Sequence, residues 1–176
     1  MLLNHSSGIM GTGLSGAVLF DDTDPSATDG LLEALATQRL AAAPGEYSVY
    51  CNDGFTLAEL VVEAVSGMDF MDYVRSNILS PAGLSSTMYA TASDLASFGG
   101  ALTGTQLLKT SSLEAMAYPE YSRGVWPDDT LDSLAYGLGW DNMALYPFCQ
   151  SGITALAKGG DTPRYHSAPV VLPEYD

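Results

Sequence analysis

Between residues 26 and 118 the apolar positions recur every three or four residues, and from Tyr136 onward they alternate, so the chain reads as helices followed by strands. Ser26-x-x-Asp29 has the form of a capping box ahead of Leu31, Leu32, Leu35 and Leu40, a helix that ends before Pro44-Gly45. Leu57, Leu60, Val61 and Val65 share one face of a second helix, which Gly67 is placed to close in a left-handed conformation. Ser66-x-x-Asp69 predicts a third helix with Phe70, Tyr73, Val74 and Ile78 inward, stopped by Ser80-Pro81. Thr91-x-x-Asp94 opens a fourth, with Leu95, Phe98 and Leu102 inward, and Ser111-x-x-Glu114 a fifth. Residues 4 to 16 read as loop, 21 to 26 as a polar turn, and 118 to 130 as a long loop of the kind that borders a substrate cleft. Tyr136, Leu138 and Trp140 alternate against Gly137 and Gly139, and strands at 154 to 160 and 165 to 172 follow, joined by a turn at Pro163-Arg164.

Composition narrows what such a chain can do. In 176 residues, 47% hydrophobic and 15% charged, there is apolar material for one sizeable core. A formal charge of −15, from 21 acidic and 6 basic residues, repels phosphate backbones and anionic lipid, which excludes nucleic acid as a partner. No apolar run approaches the length needed to cross a bilayer, so no membrane segment is expected. Cys51 and Cys149 are too few for a disulfide framework, and no zinc spacing links them to His5 or His166. Two free thiols, with no metal and no cofactor, are expected.

The stretch that bears most on function is Tyr47-Ser48-Val49-Tyr50-Cys51-Asn52-Asp53-Gly54-Phe55. It sets a phenol and a carboxamide two residues apart where a turn gives way to a helix, so both side chains can be aimed at one ligand. The plainer alternative is a packed Tyr50 beside an ordinary N-cap at Asn52 or Asp53.

Two further segments add weight to the first of these. They are Leu2-Leu3-Asn4-His5-Ser6-Ser7-Gly8 before it and Lys158-Gly159-Gly160-Asp161-Thr162-Pro163 after it. Together with Pro44-Gly45-Glu46, Ser66-Gly67, Pro81-Ala82-Gly83-Leu84-Ser85-Ser86-Thr87, Thr91-Ala92-Ser93-Asp94-Leu95 and Tyr136-Gly137-Leu138-Gly139-Trp140, they make the chain resemble the serine β-lactamase and penicillin-binding-protein superfamily. The branch it is most similar to holds the class C β-lactamases, DD-peptidases and related esterases. The resemblance implies an α+β, β-lactamase/transpeptidase-like fold with a helical part over residues 1 to 118 and a loop with antiparallel strands over 119 to 176. It also implies hydrolysis through an acyl-serine, with a small-molecule or peptide substrate: a β-lactam, a D-amino-acid peptide or an ester.

Residue by residue, the resemblance makes Tyr50 and Lys158 catalytic and Asn52, Gly159, Gly160 and Asp161 substrate-binding. Lys158 would lie near Tyr50, where positive charge favours the phenolate that accepts the serine proton. Asn52 would bind the acyl amide or a catalytic lysine, and the Asp161 N–H would be one donor of the oxyanion hole. Two departures stand out. Gly159 replaces a hydroxyl residue that would contact a substrate carboxylate, which favours peptidase or esterase action over β-lactam turnover. Arg164 stands where a glycine suits the turn. His5 matches a structural turn position and is assigned no catalytic role.

The Ser-x-x-Lys of the superfamily is missing. Lys109 and Lys158 are the two lysines, and the residues three places before them are Gln106 and Ala155. The sequence is therefore expected to be the middle of a larger hydrolase, its nucleophile ahead of Met1 and a further strand and helix beyond Asp176. The rival expectation is a non-catalytic module that binds cell-wall peptide and has lost the nucleophile. Apolar faces built to pack on missing segments predict that the isolated chain dimerises, swaps elements with a second copy, pairs with a complementing segment or aggregates.

Overall fold

The computed structural model describes residues 1–11, 29–85, 90–118, 136–161 and 165–175. Its helices are α1 (Asp29–Thr37), α2 (Asn52–Ser66), α3 (Phe70–Val74), α4 (Ala92–Thr103) and α5 (Thr110–Met116). A wider helical turn, Arg75–Leu79, continues α3, and a 3₁₀ turn spans Phe148–Ser151. Four two-residue strands follow: β1 (Leu156–Ala157), β2 (Gly160–Asp161), β3 (His166–Ser167) and β4 (Val170–Val171). β1 pairs antiparallel with β4, and β2 with β3. The expected cap at Ser26, the polar turn, the long loop beyond Tyr118 and the Pro163-Arg164 turn lie outside the described residues.

Local chemistry sets most helix ends. Gly67 closes α2 at φ 69°, its N–H bonded to the Glu63 carbonyl, as its place in the sequence predicts. Thr91 and Asp94 form a full capping box, with Thr91 Oγ1 accepting from the Asp94 N–H and Asp94 Oδ2 from the Thr91 N–H. Two expected caps are corrected. Ser66 is the last residue of α2, so α3 is capped instead by Asp69, whose carboxylate accepts the N–H groups of Met71 and Asp72. Ser111 already lies inside α5, which follows Lys109 with no side-chain cap. The α1 stripe is also narrower than expected: Leu31 is fully buried, Leu32 is exposed, and Leu40 falls beyond the helix end.

The segment 136–140 is not a strand. Its amides bond locally and to distant loops: Gly137 N–H to the Trp140 carbonyl, Leu138 N–H to Met116 and Gly139 N–H to Leu3. Gly139, at φ 80°, turns the chain, and a side chain at Gly137 would collide with the Met116 carbonyl oxygen at 2.6 Å. The glycines that suggested one face of a strand thus permit a tight bend. Likewise the expected strand at 154 to 160 is interrupted: β1 and β2 belong to separate pairs.

The main core joins α4, α5 and the sheet through Leu102, Leu113, Trp140, Met143 and Leu156. A second buried region is polar. Asn4, His5, Ser6 and Ser7 are buried, and their loop satisfies its backbone by bonding the chain that leads to α2. The Ser6 carbonyl accepts from Gly45, the His5 carbonyl from Val49 and the Gly8 carbonyl from Ala41. This loop therefore fixes where Tyr50 stands.

Candidate active site

Tyr50 sits at the entrance of α2, and the residue beneath it is His5. The backbone of His5 is left-handed at φ 60°, a conformation that histidine tolerates better than most residues. Its imidazole is 2% exposed and lies 4.4 Å from the Tyr50 ring, 4.8 Å from Tyr136 and 5.2 Å from Phe55, measured between centroids. The Cys51 N–H donates to His5 Nδ1 at 3.0 Å, so in the neutral ring the proton is on Nε2. Burial lowers the His5 pKa, and Lys158 adds to this, against the opposing charge of Asp141. The ring is therefore a neutral, packed support at neutral pH.

Cys51, between Tyr50 and Asn52, is the N-cap of α2, and its sulfur accepts the Gly54 N–H at 3.3 Å. Neither Asn52 nor Asp53 holds that position; both lie in the first turn of the helix. Burial pushes the Cys51 thiol up, which keeps it protonated and unreactive. Both cysteines are free.

Lys158 approaches from the sheet. The Asp141 N–H and Asn142 N–H both bond the Ala157 carbonyl, and this pairing sets Asp141 beside Lys158. The ammonium lies 5.6 Å from the centroid of the Tyr50 ring, within reach of a cation–π contact. It donates to Asp141 Oδ2 at 2.9 Å and to the Gly159 carbonyl at 2.7 Å, and the Gly159 N–H also donates to Asp141 Oδ2 at 2.9 Å. Burial opposes the Lys158 charge, but the hydrogen bond and charge of Asp141, joined by those of Tyr50, outweigh it and raise its pKa. Tyr136 is buried under the same group, and burial, with Asp141 and Tyr50, raises its pKa and keeps it a neutral phenol.

The structure thus brings Tyr50 and Lys158 together from opposite ends of the chain. Asn52 is exposed on the first turn of α2, two residues past Tyr50. Gly160 and Asp161 are exposed in β2, where a side chain at Gly160 would meet Ser167 Oγ at 2.7 Å. Asp161 pairs across the strands with His166, 2.5 Å from its Nδ1. The sequence expectation omitted Asp141 and Tyr136 from the site and understated His5, which contacts Tyr50 directly. No spacing rule marks Asp141; the acid beside the alternating Tyr136-to-Trp140 pattern was the available signal.

The family model described as Beta-lactamase matches residues 1–89. Penicillin-binding protein 4* of Bacillus subtilis (strain 168) is 26% identical over 158 residues, which cover 82% of this chain and 34% of that protein. The chain thus spans about a third of the length of that relative. Among solved structures, the penicillin-binding protein from Bacillus halodurans superposes with a TM-score of 0.73 at 21% identity, over 98% of this chain and 63% of that one. The D-stereospecific amidohydrolase from a Streptomyces species gives a TM-score of 0.64 at 21% identity, over 98% and 63%. The α+β fold is that of β-lactamase/transpeptidase-like proteins, of which the chain covers a part. With 89 of its 176 residues matched by that model, the chain belongs to the Beta-lactamase family.

Proposed function

We propose that this chain supplies part of the site of a serine hydrolase that cleaves an amide, lactam or ester through an acyl-serine, with the nucleophile carried by a segment outside these residues. The observation that carries this reading is the meeting of Tyr50 and Lys158, far apart in sequence, with the ammonium 5.6 Å from the centre of the ring. Tyr50 accepts the proton of the serine as its oxygen attacks the carbonyl carbon, returns it to the leaving nitrogen or oxygen, and later takes one from the water that frees the acid. Lys158 supplies the positive charge beside the phenol, and Asn52 binds the acyl amide. The Asp161 N–H serves as one of two oxyanion donors, each worth roughly 3 kcal/mol in the transition state. Substrates of this kind fit the names of the relatives, a penicillin-binding protein and a D-stereospecific amidohydrolase. The helical part and the strands would form one incomplete β-lactamase-like domain.

The absence of any Ser-x-x-Lys also favours a second reading, a module that binds cell-wall peptide without cleaving it. Labelling separates the two. The 176-residue chain alone should remain unlabelled by a fluorescent penicillin or a fluorophosphonate. Ser6 and Ser7 are buried, and Ser6 Oγ is tied to Asn4 Oδ1 at 2.7 Å, so neither is offered to a reagent. The same chain preceded by its natural upstream segment should label at a serine in that segment. Labelling at Ser6 or Ser7 would overturn the assignment, and an upstream segment with no labelled serine would favour the binding module.

A further inference from the structure

Among the described residues Lys158 is the cation beside Tyr50, and its charge is already answered by Asp141. The two side chains are 31% and 22% exposed, so the pair is within reach of a ligand. Asp141 is held from two sides. Oδ2 accepts from both the Lys158 ammonium and the Gly159 N–H. Oδ1 is buried without a hydrogen-bond partner among the described residues, and it faces His5 Nε2, which carries the ring proton, at 3.9 Å.

A ligand carboxylate approaching Lys158 therefore meets a carboxylate already bound to it. Joining as a second anion costs like-charge repulsion, and displacing Asp141 strips the Gly159 N–H of its acceptor. Asp161, three residues along from Lys158, adds a further acid, and the formal charge of −15 extends the unfavourable field. An uncharged amide or ester carries none of these costs. We infer that Asp141 is a specificity-determining residue: by engaging Lys158 it reserves the cleft for acyl donors that are uncharged on the Lys158 side, amides or esters in preference to free carboxylates. The inference deepens the hydrolase reading above and rests on it.

The test uses the whole chain and a matched pair of ligands, N-acetyl-D-alanine and N-acetyl-D-alaninamide. Lys109 and Lys158 are the two lysines, so isotope-labelled lysine gives two side-chain signals, one of them a reporter in the cleft. Affinities are read from the Lys158 signal in wild type, Asp141→Asn and Asp141→Glu. Wild type should bind the amide at least as tightly as the carboxylate. Asp141→Asn should shift the ratio up to about fivefold towards the carboxylate, the scale expected for one partly screened charge pair. Asp141→Glu, which keeps the charge, should keep the wild-type ratio, a rescue that a merely structural role would not produce. Asp141→Ser, also neutral, gives the same comparison where Asp141→Asn does not fold. A wild type that prefers the carboxylate, or a ratio unchanged in the neutral variants, overturns the role of Asp141 alone. No response of Lys158 to either ligand would instead count against the cleft as a substrate site and take this inference with it.

Discussion

Tyr50 and Lys158 are held in place by different physics. Tyr50 rests on a neutral buried ring, and the backbone around it is closed by hydrogen bonds from residues 1 to 8. Lys158 is held by one carboxylate at the edge of solvent. The first arrangement stores stability, because removing a buried acceptor leaves a buried donor with no partner. The second sets charge, and because it is partly exposed it contributes little to folding. Substitutions in the buried support beneath Tyr50 should therefore read out as lost stability, and those on the Lys158 side as altered ligand preference and charge.

The largest contrast is expected at His5. His5→Ala removes the acceptor of the Cys51 N–H together with a ring packed against three aromatics, and should cost about 3 kcal/mol in denaturant unfolding. A smaller effect follows from its titration. Burial, with Lys158, lowers the His5 pKa against the pull of Asp141, so the folded state binds the proton less well than the unfolded chain. The stability this group contributes is complete above its ordinary value of 6.5 and is lost as pH falls below it. The denaturation midpoint should drop between about pH 7.5 and about pH 5.5, and His5→Gln should flatten that drop. The smallest effect is expected at Asp141: Asp141→Asn should change unfolding free energy by about 1 kcal/mol or less, and high salt should shrink the difference further. A loss at Asp141 as large as that at His5 would erase the contrast between the two supports.

What could be read from sequence divides along the same line. Features closed within a few residues were legible, such as the Gly67 end of α2 and the Thr91 and Asp94 capping box, because donor, acceptor and backbone conformation lie within one turn. Ser66 and Ser111 misled because a serine three residues before an acid fits the motif whether or not it stands at a helix start. Tyr136 to Trp140 alternates like a strand, yet its amides find partners at Met116 and Leu3, contacts that no periodicity encodes. Tyr50 and Lys158 could be named as partners because a family resemblance linked their segments. Asp141 could not, since its place beside Lys158 depends on the pairing of Asp141 and Asn142 with Ala157. The sequence marks His5 as a turn residue, and its left-handed backbone agrees, but its stacking under Tyr50 is a tertiary fact. The predicted apolar faces that seek a partner have a counterpart in α2, where Val61 is 51% and Val65 84% exposed.

The proposal that Tyr50 moves the proton in this cleft is tested most directly by the rate of acylation in the chain joined to its upstream segment, compared with Tyr50→Phe. Removing the hydroxyl while keeping the ring over His5 should leave the melting temperature unchanged and slow acylation or deacylation by about 10²–10⁴-fold. A Tyr50→Phe protein that acylates and turns over at the wild-type rate would contradict the account.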